Sequence, residues 1–281
     1  MNTNIGLLGM LGIWLTMAMM PLVEFLVLSA SEATFLRGLS GLLIIGLYAL
    51  FKKGTITLPD KNTLVIVTLF VLATLCLFKA IGAWGTNFSA LFLDLAVIVP
   101  IMFVLWRGQK IDTITYLAFV LAILGTMLAL RIFSGGEFNY EGLFWSIGAL
   151  IANGLFIEYA GKATQSNWNK VFWMSAGLVL FGSSALFSLG TIDTINMEWV
   201  FLALVFSVAT GILNFYCAFI AFANLKPVAM GMLLLLVTPT IILSSYIILG
   251  KGMGMDQLIG VVMTLVAGFV FGNFLRKQSI N

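Results

Sequence analysis

Residues 63–83 read TLVIVTLFVLATLCLFKAIGA, and this stretch decides the class of fold. Its only charged residue is Lys79. About 20 consecutive apolar residues suffice for a helix to cross the hydrocarbon core of a bilayer. The stretch therefore predicts a transmembrane helix.

The rest of the chain has the same character. Of its 281 residues, 61% are hydrophobic and only 9% are charged. Because a soluble domain carries about 25% charged residues, we expect an all-α membrane protein with one transmembrane domain covering residues 1–281. Ten apolar segments are predicted to span the bilayer: 5–28, 30–51, 63–83, 86–106, 112–131, 141–162, 170–190, 198–222, 227–249 and 257–275.

Residue types that catalytic and metal sites need are scarce in this chain. It contains no histidine, and its two cysteines, Cys76 and Cys217, both lie in apolar segments. This composition argues against histidine-based catalysis, a metal site and a disulfide framework. No ATPase phosphate-binding motif is found, so we predict neither an enzyme nor a cofactor. The small net charge of +3 gives no reason to expect a nucleic-acid partner.

Lysine and arginine are distributed unevenly between the two sides of the predicted topology. With ten spans, both termini lie on one side, and that side carries ten Lys and Arg residues against two on the other. Cytoplasmic loops of membrane proteins are enriched in these residues. We therefore expect both termini in the cytoplasm and the protein in the inner (plasma) membrane.

A weak internal repeat divides the chain into residues 1–134 and 135–281. The matches keep their order along the two halves: Cys76 with Cys217, Pro100 with Pro239, and Asp112 with Asp256. Each half has five predicted spans, and five is an odd number, so the second half would insert in the opposite orientation. Inverted repeats of this kind are common in secondary transporters, which bind substrate near the bilayer midplane.

An ordered series of short segments carries a family resemblance. The segments are Phe35-Leu36-Arg37, Phe78-Lys79-Ala80 followed by Ser89-Ala90-Leu91 and Pro100, Phe219-Ile220-Ala221, Pro239, and Asp256-Gln257-Leu258-Ile259-Gly260. In this series the chain resembles the drug/metabolite transporter superfamily, and within it the EamA-type ten-helix transporters. The resemblance implies proton-coupled, exchange-coupled or facilitated movement of small organic solutes, often amino acids and related metabolites.

Five charged side chains of the predicted spans are interpreted as lying inside the membrane: Glu24, Arg37, Lys79, Asp94 and Glu158. Each costs roughly 2.5–3.5 kcal/mol at the centre of a transmembrane helix. Glu32, near the start of the second span, is interpreted as interfacial. One hypothesis is a substrate-binding site in which Arg37 and Lys79 hold a carboxylate or phosphate. Glu24 and Asp94 would then hold an amine or carry a proton. The alternative is two structural ion pairs, Arg37–Glu24 and Lys79–Asp94.

Glu24 and Glu158 lie near the ends of the corresponding first helices of the two halves. In inverted repeats they would face opposite sides of the membrane. We therefore predict that Glu24 and Glu158 act as gate or proton-coupling residues, together with Asp94. The alternative for Glu158 is a side chain that reaches the aqueous interface.

Uncharged side chains complete the predicted substrate-binding set. Asn153, Asn214 and Tyr216 are polar residues at depth, and they face a central cavity or bond between helices. An aromatic cage for an apolar or cationic group is a further hypothesis. Its members would be Trp14, Trp84, Phe215 and Phe219. The alternative for the aromatic residues is contact with lipid.

Together these features predict a secondary transporter of small organic metabolites, amino-acid-like or otherwise charged, that works by alternating access. Its partners would be a small-molecule substrate, protons or a counter-substrate, and the lipid bilayer, and it would be a monomer or a homodimer. The resemblance favours efflux. Two alternatives stay open: an importer of a cationic or nucleotide-like metabolite, and a non-transporting membrane scaffold or sensor.

Overall fold

The computed structural model describes residues 2–51, 56–108, 110–129, 139–184, 197–250 and 254–278, and these ranges are helical with no strand. Six helical stretches, three of them made of more than one consecutive element, are long and apolar enough to cross a membrane. They are Thr3–Phe25, Ala30–Phe51, Lys61–Trp84, Tyr140–Ala160, Met197–Asn224 and Pro227–Leu249. Three shorter apolar helices accompany them. The protein is therefore a multi-pass α-helical membrane protein.

Fourteen α-helices and one π-helical segment are described. They are α1 Thr3–Met17, α2 Leu22–Phe25, α3 Ala30–Phe51, α4 Lys61–Trp84, α5 Thr86–Leu95, α6 Ile98–Trp106, α7 Thr113–Ala129, α8 Tyr140–Ala160, α9 Asn167–Phe181, α10 Met197–Ser207, the π segment Val208–Leu213, α11 Asn214–Asn224, α12 Pro227–Leu234, α13 Val237–Leu249 and α14 Met255–Gln278. Polar side chains fix several helix starts: Asp60, Asn139 and Ser166 accept N–H bonds at the first turns of α4, α8 and α9.

Two predicted spans, 86–106 and 227–249, are broken rather than continuous. Turns at Ala96 and Leu235 separate α5 from α6 and α12 from α13. Each turn begins four residues before a proline, Pro100 or Pro239. Proline has no N–H for the carbonyl of the residue four positions earlier, and its ring collides with that carbonyl. The two prolines thus account for both breaks.

The ends of two other predicted spans also need correction. The first, 5–28, is continuous only to Met17, after which a turn leads to the short helix α2. Pro21 at the N-terminal cap of α2 lies in this turn. The seventh, 170–190, is helical to Phe181, and its last residues lie outside the described part of the chain.

Helices of the first half pack mainly against helices of the second half. The most extensive contacts join α4 to α8, α7 to α14, α3 to α9 and α1 to α11. Small residues allow the close approach: a Cβ added at Gly125 of α7 would lie 2.6 Å from Oγ1 of Thr264 and 2.8 Å from the Gly260 carbonyl oxygen of α14. Such contacts between small residues are typical of membrane helices. This face of α14 is therefore used inside the fold.

Candidate functional site

A cavity lies between the two halves of the chain, with an empty volume of about 710 Å³ that includes the part open to the outside. Helices of both halves contribute to its wall. Most lining residues are apolar, and Phe70, Phe156, Phe215 and Phe222 supply aromatic rings. Arg37 is the one charged residue among the described residues that line it.

Arg37 lies on α3 with only 4% of its surface exposed. Its Nε donates a hydrogen bond of 3.0 Å to the carbonyl oxygen of Thr210. Its Cζ lies 5.1 Å from the ring centre of Phe70 and 5.4 Å from that of Phe215, which places the guanidinium within cation–π range of both rings. Neither Nη group has a hydrogen-bond or ion-pair partner in the described part of the chain.

Contacts with the last residue of α10 and with the π segment fix the position of Arg37. Ser40, one turn further along α3, donates from its backbone N–H to Oγ of Ser207 at 3.2 Å and from its Oγ to the Ser207 carbonyl at 2.8 Å. Gly211 lies directly against the backbone of Arg37. The helix is kinked where it meets α3, because the backbone of Gly211 is not helical there (φ −89°, ψ −106°).

Two predicted polar residues, Asn153 and Asn214, line the cavity. Asn214 is 5% exposed, and its Nδ2 donates a 2.8 Å hydrogen bond to Oγ1 of Thr16 on α1. Asn153 is half-buried on α8. The structure thus brings an arginine and two side-chain amides, from three different helices, to one cavity.

Glu24, Lys79 and Asp94 are not among the described residues that line this cavity, so they do not share one site with Arg37. Glu24 accepts a hydrogen bond from the backbone N–H of Thr86, at the start of α5. Lys79 is exposed, and its Nζ lies 4.1 Å from the ring centre of Trp145. The predicted alternative pair of Lys79 with Asp94 is not formed either.

Asp94 lies on α5 and is 1% exposed. Its Oδ2 accepts a 3.2 Å hydrogen bond from Oγ1 of Thr126 on α7. The ion-pair alternative for Arg37 and Glu24 is likewise absent from the described contacts of Arg37. Asp94 is therefore a buried carboxylate bonded by a hydroxyl, behind the cavity wall.

Glu158 is 2% exposed on α8. Its Oε1 lies 2.5 Å from Nη2 of Arg107 and 3.6 Å from Nζ of Lys162. Arg107 follows α6, so this ion pair ties the end of α6 to α8.

Trp14 and Tyr216 pack elsewhere than at the cavity wall. Nε1 of Trp14 donates a 3.0 Å hydrogen bond to the carbonyl oxygen of Leu233, next to the break between α12 and α13. The ring of Tyr216 lies 4.8 Å from that of Trp168. Both residues therefore have a place in helix packing, and neither belongs to the lining.

The predicted aromatic cage is mostly replaced by other residues. Of its four members only Phe215 lines the cavity, whereas Trp84 stacks on Phe92 and Phe219 is fully buried nearby. The other three rings, those of Phe70, Phe156 and Phe222, come from residues that the sequence does not distinguish. The chain has 24 phenylalanines, most of them in apolar helices where no pattern marks an inward ring.

Lys170, the first residue of the predicted span 170–190, is also buried. It is 6% exposed, its Nζ lies 3.5 Å from the Ala163 carbonyl oxygen, and it sits 4.8 Å from the ring centre of Phe219. A lysine at a predicted helix boundary gives no signal of burial. Its contacts serve the base of α9 rather than the cavity.

Comparisons with known proteins support the fold alone. No protein-family model and no curated protein matches the chain. The chain is similar to a solved structure described as "Crystal structure of protein", with a TM-score of 0.76 and 12% identity, over 96% of this chain and 98% of the other. The helical architecture therefore also occurs in a protein of very different sequence.

Proposed function

We propose that the protein is a secondary transporter that carries a small organic solute across the plasma membrane by alternating access. One observation carries the proposal: the cavity between the two halves contains a buried arginine, Arg37, whose Nη groups have no partner among the described residues. Small-molecule sites are typically concave, mostly apolar and supplied with a few polar groups. A scaffold would gain nothing from such a charge in the membrane.

Ten helices in two inverted repeats are the architecture that this proposal uses. In this architecture the six long helical stretches, α7, α9, α14 and the pair α5–α6 are counted as ten membrane-spanning segments. Two of the helix contacts correspond to each other in the two halves. The first helix of the first half, α1, packs on the third helix of the second half, α11. The first helix of the second half, α8, packs on the third helix of the first half, α4. An inverted repeat with a two-fold axis in the membrane plane would produce this pairing.

Matching details support the same repeat. Leu235 follows Ala96 by 139 positions, and Pro239 follows Pro100 by the same 139, so the two helix breaks coincide. The two cysteines also have matching environments. A Cβ added at Gly12 would lie 2.4 Å from Sγ of Cys217, and one added at Gly148 would lie 3.0 Å from Sγ of Cys76.

Membership of the EamA-type drug/metabolite transporters remains part of this proposal, with both termini in the cytoplasm. In that orientation Glu158, Arg107 and Lys162 lie on the cytoplasmic side, whereas Glu24 and Thr86 lie on the outer side. Rocking of one half against the other would make and break such contacts in alternation. Efflux is the direction that the resemblance favours.

Transport can be tested in proteoliposomes without knowing the solute. The measurement is current on a solid-supported membrane after concentration jumps of amino acids, organic acids, polyamines, quaternary amines and nucleotides. The blocking variant is Ala73→Trp, because Ala73 lines the cavity, and the matched control is its neighbour Leu72→Trp, whose side chain is 50% exposed on the outside of α4.

We expect at least one solute to give a saturable current in the wild type and in Leu72→Trp but not in Ala73→Trp. Size-exclusion profiles would show that both variants are folded. Electroneutral exchange would escape this assay, so uptake of radiolabelled solute into preloaded vesicles is measured as well. Absence of solute-dependent current and of uptake in the wild type would favour a scaffold or sensor.

A further inference from the structure

We propose that Arg37 is the binding site for the carboxylate of an apolar organic monoanion, whose hydrocarbon body lies against the phenylalanine rings of the cavity. This inference rests on the proposed function and names the substrate class of the same cavity. It narrows the range of solutes from charged metabolites in general to monocarboxylates with an apolar or aromatic body.

The first argument is the charge of the cavity. Among the described lining residues Arg37 is the only ionised one, and no carboxylate pairs with it. A buried charge is costly unless it is paired and hydrogen-bonded. The Thr210 carbonyl satisfies Nε alone. An anionic solute would supply the missing acceptors for both Nη groups.

The second argument is geometry. Phe70 and Phe215 lie next to each other against the guanidinium, with their ring centres 5.0 Å apart and their planes at 82°. Together with the Nε bond to Thr210, these rings restrict the rotation of the planar group. A fixed guanidinium fork matches the two oxygens of a carboxylate and binds them in bidentate fashion.

The third argument is the wall next to the arginine. The ring of Phe156 lies 5.1 Å from that of Phe70 and 5.3 Å from that of Phe222, so an aromatic surface continues away from Arg37. This surface favours an apolar or aromatic body on the solute. Asn153 and Asn214 are uncharged and leave the cavity with a single positive charge.

The fourth argument concerns amines. The acidic residues predicted to hold an amine, Glu24 and Asp94, lie outside the cavity lining and bond to Thr86 and Thr126. No described lining residue is acidic. A cationic solute would meet the charge of Arg37 without compensation, which selects against it. A single fixed positive charge thus favours a monoanion.

Binding to the purified protein tests the inference separately from transport. Three probes share one ring and differ in the polar group: phenylacetate, phenylacetamide and phenethylamine. The readout is the thermal unfolding midpoint at rising probe concentration, because a ligand that binds the folded state raises it. The variants are Arg37→Gln, Arg37→Lys and, as a matched control, Lys79→Gln, which removes a positive charge from the exposed face of α4.

We expect phenylacetate to raise the midpoint of the wild type and of Lys79→Gln in a saturable manner, and the amide and the amine to have no effect. Arg37→Gln should weaken phenylacetate binding on the order of 30-fold or more, since truncating one partner of a buried charge pair costs at least about 2 kcal/mol. Arg37→Lys keeps the positive charge but removes the planar guanidinium that binds both carboxylate oxygens, and it should weaken phenylacetate binding about tenfold. This variant also serves if Arg37→Gln does not fold.

Several outcomes would overturn the assignment. They are equal stabilisation by amide and carboxylate, stabilisation by the amine, no stabilisation of the wild type, and equal binding by wild type and the Arg37 variants. An Arg37-dependent response to inorganic phosphate but not to phenylacetate would replace the carboxylate by a phosphate. Arg37-dependent binding without transport in vesicles would refute the proposed function and leave the binding site standing.

Discussion

Replacing Gly211 by alanine tests the contact that positions Arg37. A Cβ at this position would lie 2.2 Å from the Arg37 carbonyl oxygen and 2.9 Å from Oγ of Ser40. Ordinary van der Waals contact begins at 3.4 Å, so the π segment and α3 must separate by about 1.2 Å. Because the nearest atom belongs to backbone, no side-chain rotation relieves the collision.

The expected cost is about 1–3 kcal/mol, the usual range for overpacking a well-packed interior. For a protein of this size it corresponds to a fall of roughly 2–12 °C in the unfolding midpoint. The matched control is Gly82→Ala on the exposed face of α4, where an added Cβ meets nothing within 4 Å. That change should leave the midpoint unchanged or raise it, since alanine is the better helix former by up to about 1 kcal/mol.

Thermal unfolding can be followed with a thiol-reactive fluorescent dye. Cys76 is buried and Cys217 is partly buried, and both are free thiols on helices that pack against the opposite half. Their exposure therefore reports separation of the two halves. Equal midpoints for Gly211→Ala and Gly82→Ala would refute the close contact of α3 with the π segment. The displaced backbone should also weaken phenylacetate binding, because Arg37 moves with it.

Three further predictions concern groups outside the cavity. Arg107→Gln should lower stability by about 1–3 kcal/mol, because buried Glu158 loses its closest partner; an unchanged midpoint would contradict this. Asp94→Asn keeps a hydrogen-bond acceptor and should leave phenylacetate binding unchanged. Loss of phenylacetate binding in a folded Asp94→Asn variant would contradict the position of Asp94 outside the binding site. The hydrogen bond from the backbone N–H of Thr63 holds the pKa of Asp60 below its usual range. The stabilisation is thus present above about pH 4 and lost as pH falls further, and Asp60→Ala should flatten the dependence of the midpoint on pH in that window.

Hydropathy predicted where the helices lie because crossing a bilayer needs length and apolar composition, and both are properties of local sequence. The span 30–51 coincides with α3, and 63–83 lies within α4. The breaks at Ala96 and Leu235 were not predicted, although Pro100 and Pro239 were recognised. Each break lies four residues before the proline, because the carbonyl there receives no N–H from the proline and collides with its ring.

The site was harder to predict than the spans because both faces of a membrane helix are apolar. In a soluble protein a polar stripe marks the outside of a helix, whereas here lipid and the protein interior select the same residues. Leu77 lines the cavity, and Lys79 lies two residues later, about 200° further round α4. Once Leu77 is known to face the cavity, helix geometry places Lys79 on the outside of α4. The sequence does not show which residue of α4 faces the cavity, because that depends on tertiary packing.

The five intramembrane charges therefore divide by what surrounds them. Lys79 reaches the exposed face, Glu24 and Asp94 accept bonds from Thr86 and Thr126, and Glu158 is paired with Arg107 and Lys162. Arg37 alone lines the mostly apolar cavity, and its Nη groups have no partner among the described residues. The Thr210 bond and the two rings offset only part of the free-energy cost of burying its charge, so an entering anion should make the solute-bound state the more stable one. Such a difference would let the solute itself favour closure of the two halves around the cavity, because a ligand shifts a conformational equilibrium only by its difference in affinity for the two states.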